Sequence, residues 1–82
     1  MSRPATYRRE RLWQVAGSTE STPAAREAVL RVMREHGRPM SLSLITSRAH
    51  GISAAQVAAA LMHLIEWDEG VGVNDAELFD LE

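Results

Sequence analysis

Apolar residues recur at three- and four-residue spacing between Pro23 and His36, at Ala25, Ala28, Val29, Val32, Met33 and His36. That period predicts an amphipathic helix over 23–36. Thr22 is a good N-cap and Pro23 suits the first helical position. Gly37 supplies the left-handed position after the helix, and Pro39 prevents it from continuing. Glu27 to Arg31 and Arg31 to Glu35 are four-apart opposite charges, which suit an exposed outer face. Arg38-Pro39-Met40 is then a short extended link, because the residue before proline avoids helical angles.

The next stretch reads as helix, glycine turn, helix. Ser41 caps a short helix that Gly51 is expected to end. Ser53 caps the second helix, with Gln56 three residues on, as in a capping box. That helix is predicted to run from Ala54 to about Trp67. A helical wheel gathers Val57, Ala60, Leu61 and Leu64 on one side as core, with Ala54 and Ile65 at its margin. The opposite side carries Ala55, Gln56, Ala59, Met62, His63 and Glu66.

Two flanking segments complete the pattern. Residues 1–16 form an arm with Arg3, Arg8, Arg9 and Arg11, in which Thr6 can cap a helix from Tyr7 to Ala16 ended by Gly17. Leu12, Val15 and Ala16 give that helix an apolar side, with Trp13 and Tyr7 beside it. Residues 17–22 are a polar linker without periodicity, separating the arm from a domain over 23–82. After Trp67-Asp68-Glu69-Gly70, the run from Val71 to Leu81 reads as a β-hairpin with a two-residue Asn74-Asp75 turn. Such a turn sets Val71 opposite Leu78 and Val73 opposite Ala76, leaving Phe79 and Leu81 on the other face.

Composition narrows the class. Eighty-two residues, 45% of them hydrophobic, suit one small folded domain. With no cysteine there is no disulfide framework and no thiolate zinc site. The start lacks the apolar stretch of a signal peptide and no run reaches membrane-spanning length, so a soluble, cytoplasmic chain is expected. The net charge of −2 conceals an asymmetry. All nine basic residues are arginines at or before Arg48, against four acids there, a balance of +5. From Ala49 onward there are seven acids and no lysine or arginine, a balance of −7. One half attracts phosphates and the other repels them.

Chemistry-bearing motifs are sparse. His36, His50 and His63 form no i,i+4 pair, so no metal site is expected. Gly70-Val71-Gly72-Val73 follows a helix and precedes a turn, unlike a phosphate-binding loop. Ser41, Ser43, Ser47 and Ser53 lack a glycine-flanked elbow and a nearby base. No enzyme activity, cofactor or small-molecule substrate is expected. Trp13 and Trp67 read as core or interface anchors.

Leu42 and Ile45 in a scaffold helix, Gly51-Ile52-Ser53 at the turn, Val57, Leu61 and Leu64 in a following helix, and Val71 to Leu81 as a hairpin together resemble the winged helix-turn-helix superfamily. The resemblance covers about Thr22 to Glu82 and implies an α+β fold, three helices plus a C-terminal β-hairpin wing, with the arm or helix added in front. It further implies a DNA-binding transcriptional regulator or accessory factor, acting as a homodimer on double-stranded DNA. Ala55, Gln56, Ala59 and His63 would then face bases, and Arg3, Arg8, Arg9, Arg11, Arg38 and Arg48 phosphates. Against that, no arginine or lysine lies on the second helix, and Asp75, Glu77 and Asp80 would meet phosphates across the wing. The arm arginines could equally pair with Glu10 or with the acidic wing. A small, apolar face at Ala59 and Met62 also suits docking on a protein, so a winged-helix interaction module is the second expectation. The N-terminal helix could also cover that face.

Overall fold

The computed structural model describes residues 11–68 and 70–82, and among these the chain forms four helices and a two-stranded antiparallel sheet. The architecture is α+β and compatible with a winged helix. Helix α1 is seen over residues 11–16 and ends at Gly17, whose φ of 59° is left-handed and whose N–H donates to the Trp13 carbonyl at 2.9 Å. The expected Thr6 cap, Tyr7, and Arg3, Arg8 and Arg9 lie outside the described residues.

Helix α2 (Pro23–His36) has the predicted bounds, and its caps explain them. Thr22 Oγ1 accepts from the Ala25 N–H at 3.1 Å, and Gly37, at φ 74°, donates back to Met33 at 3.0 Å. Ala25, Val29, Val32 and Met33 form its buried side. The outer-face ion pair differs from expectation. Glu27 meets Arg34 at 3.9 Å, two turns away, in place of the four-apart pairs through Arg31. Both partners are well exposed, so this pair contributes little to stability.

Helix α3 (Leu42–Arg48) starts at Ser41, whose Oγ accepts from Leu44 N–H at 3.1 Å. It stops before Gly51, at Ala49, which turns inward and is buried. Gly51, at φ 88°, lies in the turn beyond the helix. Helix α4 (Ala54–His63) opens with the full capping box: Gln56 N–H donates to Ser53 Oγ at 3.2 Å, and Ser53 N–H to Gln56 Oε1 at 2.8 Å. Regular α-helix ends at His63, four residues before the expected end, and Leu64–Asp68 form a π-helical turn. The Gly70 N–H reaches back to the Leu64 carbonyl at 3.1 Å.

The hairpin departs from its predicted register. Strands β1 (Val71–Val73) and β2 (Phe79–Leu81) pair Val71 with Leu81 and Val73 with Phe79. Val73 thus faces Phe79 where the two-residue turn would put Ala76, a slip of three residues. An odd slip moves a strand's side chains to the other face. Val71, Val73, Phe79 and Leu81 therefore share one face, and Gly72 and Asp80 the other. The cause is Asn74. Its side-chain Oδ1 accepts from the N–H groups of Ala76 at 2.9 Å and Leu78 at 3.0 Å, and so organises a five-residue loop over 74–78. Glu77 completes it with a left-handed φ of 62°.

Met40, expected only to link two helices, pairs with the hairpin instead. It exchanges hydrogen bonds with Phe79, accepting at 2.7 Å and donating at 2.8 Å. Met40 is fully buried, so the link both ties α2 and α3 to β2 and fills the core. That core gathers Val29 and Met33 from α2, Ile45 from α3, Val57 and Leu61 from α4, then Leu64, Val71 and Phe79. Each such side chain contributes about 1.5–3 kcal/mol by leaving water. Leu12 and Ala16 belong to the same cluster, which makes α1 part of the domain's packing.

Candidate interaction surface

Helix α4 carries the residues expected to face outward, and the structure treats them unequally. Val57, Ala60 and Leu61 are buried as the wheel requires, but so are Ala58 and Ala59. Ala59 is only 6% exposed, which corrects its assignment to an open face. The reason is α1. Trp13, Ala16 and Gly17, with Thr19 and Ser21 behind them, line one groove together with Ala59, Met62, His63, Glu66 and Trp67.

Gln56 is constrained differently. A bidentate contact to adenine needs both the oxygen and the nitrogen of the amide. The oxygen already accepts the Ser53 N–H in the capping box, so a base would have to share it and take the side chain in the orientation the cap fixes. Ala55 and His63 are half-buried. Of the arginines, Arg11 forms an ion pair with wing residue Glu77 at 3.1 Å. Its guanidinium thus neutralises one carboxylate of its own chain's wing. Both side chains are substantially exposed, so the pair is worth about 0–1 kcal/mol and fixes orientation more than stability. Arg38 and Arg48 stand exposed just after α2 and at the end of α3. Neither lines the groove that Ala59 shares with Trp13 and Ala16.

The α1–α4 groove encloses about 210 Å³, and two large apolar side chains stand at it: Trp13, 66% exposed, and Trp67, 75% exposed. Both stand at the surface, so the core alternative for them does not hold. The exposure of Trp67 follows from the π turn. In an unbroken α-helix Trp67 lies seven residues, about two turns, beyond fully buried Ala60 and returns to much the same side. The wider turn over Leu64–Asp68 rotates it outward. No feature of the local sequence announces that change of helix type.

A second groove of about 270 Å³ lies on the other side of α1, between Leu12 and Val15, the start of α3 at Ser41–Ser43, and the wing at Val73, Glu77 and Phe79. One helix therefore borders both the outer side of α4 and the wing. Comparison with known proteins finds no relative: no family model, no curated protein and no solved structure matches this chain. The chemistry must be read from the surface alone. Among the described residues, no cluster of three His, Cys, Asp or Glu side chains could hold a metal ion, and no helix is long and apolar enough to cross a membrane.

Proposed function

We propose that this chain is a protein-interaction module built on a winged helix-turn-helix scaffold, docking through the groove between α1 and α4. The scaffold assignment is supported by element order, by the Gly51 turn between α3 and α4, and by the hairpin that Met40 extends to a third paired position. The observation that carries the functional reading is the burial of Ala59 in the groove that it lines together with Trp13 and Ala16. A major-groove reader needs the outer side of its second helix free, and here that side is the floor of a groove already walled by Trp13 and Ala16. The acidic wing agrees, since Asp75 and Asp80 are exposed where a duplex would bring phosphates.

What α4 offers instead is apolar surface with aromatic edges. Tryptophans are enriched among the residues that dominate binding energy at protein interfaces. The deciding experiment is a titration of random duplex DNA against the full chain at several salt concentrations. The interaction module binds weakly and without a steep salt slope. Tight binding overturns the proposal in favour of a DNA-binding regulator if Arg38→Ala or Arg48→Ala each lowers its log–log salt slope by about 0.9, the share of one phosphate.

A further inference from the structure

We infer that the occupant of this groove is a second copy of the chain, docked about a two-fold axis so that an indole of each copy enters the groove of the other. The inference rests on the interaction-module reading and names its partner.

Area favours it. A tryptophan buries about 150–250 Å², so the two indoles leave on the order of 300 Å² of apolar surface open on each copy. A lasting interface buries roughly 800 Å² per partner. The tryptophans thus supply more than a third of it, the part at the centre where most binding energy resides. Met62 extends the apolar area, and exposed Gly17 and Thr19 form a polar rim.

Shape favours it too. A two-fold interface sets one patch against itself, so the patch must hold both a projection and a recess. Trp67 projects, turned outward by the π turn, beside a recess of about 210 Å³. A cavity of about 150 Å³ admits a benzene ring, so this one has room for an indole.

Sedimentation equilibrium of the full chain, over roughly micromolar to millimolar concentration, reads the association directly. The expected mass rises from 9.1 kDa to twice that value. Acrylamide quenching of tryptophan emission should fall in parallel as the indoles leave water. Trp13→Ala and Trp67→Ala should each weaken the dimer at least tenfold and leave the melting temperature of dilute protein unmoved. Thr19→Arg, a rim change that removes no apolar packing within one copy, should weaken it as well and guards against misfolding of the tryptophan variants. A constant 9.1 kDa at every concentration overturns the inference, and so does a dimer whose affinity all three variants leave intact. The duplex titration is an independent readout. A monomer that ignores DNA overturns the dimer alone, whereas steep salt-dependent DNA binding overturns the module reading beneath it.

Discussion

Ala54→Glu and Ala59→Glu place the same carboxylate on one helix and should act in opposite directions. Ala54 is exposed at the first turn of α4, where a negative charge meets the unpaired N–H groups of the helix start. That interaction is worth about 0.3–1 kcal/mol and offsets the slightly poorer helix propensity of glutamate. Ala59 lies five residues on, 6% exposed, in the buried cluster that also holds Ala16. Extra atoms forced into a packed contact cost about 1–3 kcal/mol, and a polar group stranded without partners costs about 1–3 kcal/mol more. The total is about 2–6 kcal/mol. A domain of this length is stable by about 4–12 kcal/mol, so Ala59→Glu removes a large share of it. At about 4–8 °C per kcal/mol, the melting temperature should fall by about 10 °C or more. Thermal unfolding followed by far-ultraviolet circular dichroism, with both variants at one dilute concentration, measures this. If Ala59→Glu melts within about 2 °C of the parent, α1 does not close the α4 face and the reasoning about the groove collapses.

Two further outcomes test the framework. Leu61 is fully buried at the meeting of α2, α3 and α4, so Leu61→Ala should cost about 2–5 kcal/mol in urea unfolding. Asn74→Ala removes the acceptor for two loop N–H groups, and hydrogen exchange at Ala76 and Leu78 should accelerate while the α4 amides keep their protection.

Helix starts and the core side of α4 could be read in advance because they depend on local chemistry. Thr22-Pro23, Ser41 and Ser53 with Gln56 each satisfy backbone groups within three residues, and all three caps form. Helix ends were harder. A glycine can terminate a helix or merely shape the turn after it, and Gly51 does the second, while Gly37 does the first. The hairpin register turned on one side chain: Asn-Asp suggests a two-residue turn, but Asn74 Oδ1 serves N–H groups two and four residues away and so favours a longer loop. The pairing of Met40 with Phe79 and the packing of α1 on α4 join residues far apart in sequence, and periodicity carries no record of such contacts. The wheel located the core side of α4, but for the other side it left DNA, a protein partner and the N-terminal helix all open as occupants.

The burial of Ala59 changes which part of α4 is able to act. Five consecutive residues, Val57 to Leu61, are buried, and five residues span more than a full turn. The middle of α4 therefore has no free side along which to lie in a groove of DNA. Only its two ends reach solvent. The N-terminal end holds the capping box, where Gln56 Oε1 is already engaged by Ser53. The C-terminal end runs through Met62 into the π turn and delivers Trp67 to the surface. Arg11, meanwhile, ties α1 to the wing through Glu77 on the opposite side of the same helix. On the interaction-module proposal, recognition is thereby displaced from the helix centre, where a DNA reader would have it, to the groove that the end of α4 lines together with α1.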